Sequence, residues 1–119
     1  MTLNPRDPRP IYEQLQEELR RLILTGGLQS GERLPSVRDL AAQLQINPNT
    51  IQRAYSALER EGYIYTIAGK GAFVAAAPEV DEGRKERLWR TFDSAVLELR
   101  YLGVSDIQLK SRVEGGAAQ

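Results

Sequence analysis

The sequence predicts a mainly α fold with one small β-hairpin. Three stretches within the first 62 residues and one near the end repeat apolar residues at helical spacing, and one β-branched, aromatic run folds back over a glycine-rich turn. At 119 residues, 41% hydrophobic and 27% charged, the chain can fill one compact core with a small appendage but not two full domains.

The first helix is expected to open at Pro10, which suits a first helical position. Leu15, Leu19, Leu22 and Ile23 form its apolar stripe and Gly26-Gly27 ends it. After a short loop through Ser30-Gly31, Ser36 is placed to cap a second helix with Val37, Leu40, Ala41 and Leu44 on one face. Asn47 then caps and Pro48 begins a third helix, whose inner stripe is Ile51, Ala54, Tyr55 and Leu58 and whose end Gly62 closes in the left-handed conformation. Only Gln45 and Ile46 separate Leu44 from that cap. Two helices joined so tightly, both with apolar inner faces, must cross steeply, which makes this pair a helix-turn-helix with the first helix as its packing partner.

The run Tyr63 to Ile67, the turn Ala68-Gly69-Lys70-Gly71 and the return Ala72 to Ala75 then read as a β-hairpin, a wing. A lone hairpin is marginal in water, so Ile64, Phe73 or Val74 should pack on the helices. Residues 1–76 are thus expected to form a winged helix-turn-helix. Ala75 to Pro78 marks a boundary, and residues 77–119 form a helical segment with a disordered tail from Gly115. That segment starts polar, from Glu79 to Gly83. Its long helix runs to about Leu102, Gly103 breaks it, and Ser105 caps a last short helix carrying Ile107, Leu109 and Val113.

With neither Cys nor His, the chain lacks thiolate chemistry, the commonest general base and the commonest metal ligand. No enzyme activity, cofactor or metal is expected. No apolar run approaches the roughly 18 residues of a membrane span, and nothing resembles a signal peptide, so the expected location is the cytoplasm. Charge gives no help: Lys+Arg and Asp+Glu are both 16, and residues 1–76 carry +1 against −1 for residues 77–119. Any attraction to a polyanion must come from local placement of side chains.

Three blocks carry a more specific signal. Gly31-Glu32-Arg33-Leu34-Pro35-Ser36-Val37-Arg38-Asp39-Leu40-Ala41 is followed by Asn49-Thr50-Ile51-Gln52-Arg53-Ala54-Tyr55 with Leu58-Glu59-Arg60-Glu61-Gly62-Tyr63, then by Gly69-Lys70-Gly71-Ala72-Phe73-Val74. In this order and spacing, after Pro-Ile-Tyr-Glu-Gln at the first helix, they resemble the DNA-binding domain of GntR-family regulators over residues 10 to 75. Only 43 residues, 77 to 119, follow the wing. A two-helix segment of that size resembles the short YtrA-type subfamily, which implies dimerisation rather than a metabolite domain.

The third helix turns Asn49, Gln52, Arg53 and Ser56 outward. Gln and Asn pair bidentately with adenine and Arg with guanine in the major groove, each good pair discriminating by about 1–3 kcal/mol. Polar residues opposite an apolar stripe also suit any solvated helix, and the resemblance decides between the two readings. Thr50 reads as a phosphate donor or a capping residue, and Arg53 as a base contact or an ion pair with an acid of the first helix. By the same resemblance Arg38 is a phosphate or base contact, the alternative being an ion pair with Asp39 or Glu32. Arg33 is phosphate-facing or packed over Leu34, and Ser36 counts with the DNA-facing set. Gly69 and Gly71 supply positive φ and close backbone approach to the minor groove, and Lys70 adds charge at the tip.

Leu88, Trp89, Phe92, Val96, Leu99 and Leu102, with Ala95, form a stripe that so short a segment cannot bury alone, so a second copy of the chain is expected to cover it. The expected partners are double-stranded DNA and self. A small effector in the seam near Trp89 or Tyr101 is an open alternative to plain packing. The expected function is a transcription regulator, a repressor of an inverted-repeat operator. A protein-interaction module or an architectural DNA binder built on the winged helix is the rival reading.

Overall fold

The structure, a computed structural model, describes residues 3–76 and 82–115. In chain order its elements are α1 (Ile11–Thr25), α2 (Val37–Leu44), α3 (Pro48–Arg60), β1 (Ile64–Ile67), β2 (Gly71–Val74), α4 (Glu82–Tyr101) and α5 (Asp106–Gly115). They fall into two compact units, Met1–Pro78 and Glu79–Gln119.

In the first unit, Pro10 is the N-cap of α1 rather than its first helical residue, with extended backbone (φ −53°, ψ 147°). Its carbonyl still accepts the first helical amides, from Glu13 and Gln14. Gly26, in the left-handed region at φ 84°, ends the helix. Buried Gln14 is satisfied at both ends of its amide: Oε1 accepts from Asn4 N (3.1 Å) and Nε2 donates to Arg9 O (3.2 Å), tying the arm before α1 to the helix.

Ser36 caps α2 as its sequence position suggests, Oγ accepting from Asp39 N at 3.0 Å. Asn47 caps α3, Oδ1 accepting from Asn49 N at 2.8 Å, with Pro48 next. Between them Gln45 takes the left-handed conformation at φ 56°, the sole non-glycine residue to do so among those described. With it in place, Ile46 N donates back to Ala41 O at 3.0 Å and the chain reverses in two residues.

Leu15, Leu19, Leu34, Leu40, Ile51, Ala54, Leu58, Ile64 and Val74 share one core. Tyr55 joins it and donates its hydroxyl to Pro35 O at 2.8 Å, linking α3 to the approach of α2. Burial pushes the Tyr55 phenol up to about 12.

The hairpin pairs Ile64 with Val74, Tyr65 with Phe73, Thr66 with Ala72 and Ile67 with Gly71. Ile64 and Val74 face the core, so the alternation of a strand sends Phe73 to the other side, where it stacks on Tyr65 at 5.6 Å. Of the three residues expected to pack on the helices, Ile64 and Val74 do so. The segment expected as a loop is strand-like. Gly31 N donates to Val74 O (2.8 Å), Val74 N to Glu32 O (2.9 Å) and Leu34 N to Ala72 O (2.9 Å), so Gly31–Leu34 lies along the open side of β2.

In the second unit α4 starts at Glu82, so Gly83 is helical; Glu79 to Asp81 lie outside the described residues. Gly103, at φ 95°, ends α4 with Val104 N donating to Leu99 O at 2.9 Å. Ser105 and Gln108 cap α5 reciprocally: Ser105 Oγ accepts from Gln108 N (3.2 Å) and Gln108 Oε1 from Ser105 N (2.9 Å). An Arg100–Asp106 pair at 2.8 Å bridges the two helices. Gly115 belongs to α5 rather than to a tail, and residues 116–119 lie outside the described residues. No helix among the described residues is long and apolar enough to cross a membrane.

Candidate nucleic-acid interface

The inner stripe of α3 is taken up by the core, so its outer face is fixed. Asn49, Gln52 and Arg53 are exposed on it with half-buried Ser56, to whose Oγ Gln52 Nε2 donates at 3.1 Å. That bond aligns the Gln52 amide along the helix axis and leaves its oxygen free to accept. Thr50 is half-buried and its amide donates to Asn47 O at 2.9 Å. Asn47, not Thr50, supplies the side-chain cap.

Arg53 meets α1, although not through an acid. Its guanidinium lies over the ring of Tyr12, 3.9 Å from the centroid. One turn and two turns further along the same seam come Ala57, buried, and Glu61, which accepts from both Arg20 (3.1 Å to each oxygen) and Gln16. Tyr12, Gln16 and Arg20 on α1 thus face Arg53 and Ala57 on α3 and Glu61 at its C-cap in the same direction. Sequence reasoning passed over Tyr12, Gln16 and Glu61. The matching four-residue spacings in the two helices were the available signal.

Arg38, in the first turn of α2, is exposed and forms no ion pair among the described residues, neither with Asp39 nor with Glu32. Arg33 does not lie over Leu34 alone: its backbone bridges to Phe73 and its guanidinium runs across Gly71. A Cβ built at Gly71 would stand 3.1 Å from Arg33 Nε. Gly71 (φ 113°) and Gly69 (φ 78°) both hold backbone conformations that disfavour side chains, and exposed Lys70 stands between them.

Pairing sorts the charges of this near-neutral unit. Of the arginines on α1 and its leading arm, Arg9 pairs with Asp7 and Glu17, Arg20 with Glu61 and Arg21 with Glu18, while Arg6 has no ion pair among the described residues. Arg9 beside Asp7 holds that carboxyl below its usual range, as Arg21 does for Glu18. Arg33, Arg38, Arg53, Arg60 and Lys70, on the helix-turn-helix and wing, have no acidic partner among the described residues. The unit's net charge does not show which of its cations are left unpaired.

Residues 11–74 match the family described as bacterial regulatory proteins, gntR family. The HTH-type transcriptional repressor YtrA of Bacillus subtilis is 38% identical over 104 residues, covering 86% of this chain and 80% of that protein. Among solved structures, a transcriptional antiterminator from Listeria monocytogenes EGD-e superposes with a TM-score of 0.88 at 32% identity, covering 97% of this chain and 87% of that one. The AraR DNA-binding domain in complex with operator ORX1 superposes with a TM-score of 0.56 at 28% identity, over 63% of this chain and 93% of that one. Family match, fold and exposed α3 face agree: the chain belongs to the GntR family and is a DNA-binding transcription regulator.

Proposed function

We propose that the chain is a repressor that binds an inverted-repeat operator as a homodimer. The observation that carries this reading is the placement of cations without acidic partners on the helix-turn-helix and wing, Arg33 before α2, Arg38 on α2, Arg53 on α3 and Lys70 at the wing tip, together with the exposed Asn49 and Gln52 of α3. In this reading α3 enters the major groove with Asn49 and Gln52 at base edges, while Arg38, Thr50 and the capped start of α2 at Ser36 face phosphates. The Gly69-Lys70-Gly71 tip reaches the minor groove, and Arg33 braces it.

Residues 77–119 serve as the dimerisation segment. Leu88, Trp89, Phe92 and Leu99 are exposed on α4, Leu102 is exposed just past its end and Val96 is half-buried, and Phe92, Val96 and Leu99 with Leu109 and Val113 of α5 line an apolar groove of about 410 Å³. Trp89 stands edge-on to Phe92 at 5.5 Å, a rigid aromatic pair. Aromatic side chains bury about 150–250 Å² each, so this surface suits the roughly 800 Å² per partner of a standard interface. We assign the groove to the second copy rather than to a small effector. The repressor assignment follows the name of the YtrA relative.

The test is a duplex selected by the full chain from a random pool. Two half-sites in inverted order are expected, with binding by a dimer. Replacing Arg38, Gln52 and Lys70 together by Ala should abolish selective binding. Equal affinity for the selected and a random duplex, or triple-variant binding unchanged from the parent, refutes the reading.

A further inference from the structure

We infer that Tyr12 is a positioning residue for DNA binding: stacked under the Arg53 guanidinium, it holds that charge at the α1 side of the recognition helix as a phosphate clamp, not a base reader. The inference rests on the reading that α3 contacts DNA. Asn49, Gln52 and Ser56 cluster along the outward line of α3, whereas Arg53 lies one residue round from Gln52, toward α1. At 3.9 Å from the Tyr12 centroid, the guanidinium is tethered away from that line, toward the wall of a groove that α3 would occupy.

The tether is itself fixed. Tyr12 is half-buried and its ring is packed against the core. Two turns along the seam, the Arg20–Glu61 pair locks α1 to the end of α3, so the ring and the arginine cannot slide apart lengthwise. One face of the guanidinium is occupied by the ring, and its N–H edge remains available. A planar fork pre-set in this way suits phosphate oxygens and loses less rotamer freedom on binding than a free arginine.

The test measures binding of the full chain to its selected duplex and to a random duplex across a salt series. Arg53→Ala should weaken both duplexes by the same factor and lower the slope of log affinity against log salt by about one. Tyr12→Leu should weaken binding about two- to fivefold, as expected for loss of an exposed cation–π contact, while Tyr12→Phe keeps parental affinity. Adding Tyr12→Leu to Arg53→Ala should cost nothing further, a non-additivity that a general loss of stability would not produce. Arg53→Lys, which keeps the charge but not the flat stack, should lose affinity with the slope retained. It also tests the inference if Tyr12→Leu does not fold.

Additive losses, a changed base preference in Arg53→Ala, or parental affinity in Arg53→Lys would overturn the inference. Gln52→Ala separates that failure from failure of the underlying reading: if it leaves sequence preference intact, the α3 face itself is wrong.

Discussion

Replacing Tyr55 by Phe removes one oxygen and leaves the ring in the core, so its effect isolates the bond to Pro35 O at 2.8 Å. A neutral hydrogen bond contributes about 1 kcal/mol net, and more only when the abandoned partner is sealed from water. Pro35 is exposed overall, so its carbonyl can recruit solvent and the expected loss stays near ~1 kcal/mol, or about 4–8 °C in melting temperature for a unit of this size. The loss should depend on pH. An unfolded tyrosine ionises near 10 whereas Tyr55 in the fold does so at about 12, so between those values the unfolded chain binds fewer protons and rising pH favours unfolding. Below pH 10 this contribution is flat. Urea unfolding followed by circular dichroism should give the parent an advantage of about 1 kcal/mol at pH 7 that shrinks between pH 10 and 12. Equal stability at pH 7 would refute the bond, and an advantage that stays constant up to pH 12 would refute the burial argument.

Gly71→Ala forces a side chain into φ 113° with Arg33 Nε 3.1 Å away; a cost of about 1–3 kcal/mol and weaker DNA binding should both appear, in denaturation and in duplex titration. Asn47→Ala deletes the cap of α3 and should lower stability by about 1 kcal/mol in a urea titration, whereas Asn47→Ser should recover most of it. Leu58→Ala opens the centre of the core and should cost about 2–5 kcal/mol, read as a large fall in the denaturation midpoint. Gln45→Gly should move that midpoint the other way, by about 0.5–1 kcal/mol, since it relieves a left-handed side chain; a loss of stability would show that Gln45 is held there by contacts.

The elements that were legible in sequence are those written locally. Ser36, Asn47-Pro48, Gly26 and Ser105 mark helix ends because capping is settled within three residues of chain. Gly62, at φ 84°, likewise follows α3 where its sequence position suggests. Whatever depends on distant pairing was not legible. Gly31–Leu34 has no alternating pattern, and its strand character comes from β2, some forty residues later. Tyr65-Phe73 and Ile64-Val74 are equally apolar pairs, so only packing decides which faces the core. For Arg53 the partner expected on the first helix was an acid, and the residue it meets there is the ring of Tyr12. Gln45 gave no sign at all, because its backbone state is imposed by the two helices it joins.

The bonding of Gly31–Leu34 along β2 gives the wing a mechanical role. A hairpin attached only through its own ends would swing as a loose flap, but this one is laced to the segment that leads directly into Ser36 and α2. A push on the Lys70 tip is therefore delivered through backbone to the helix that carries Arg38, so wing and helix-turn-helix respond as a single lever. The same lacing occupies one of the two open sheet edges, removing a place where a stray strand from another molecule could attach.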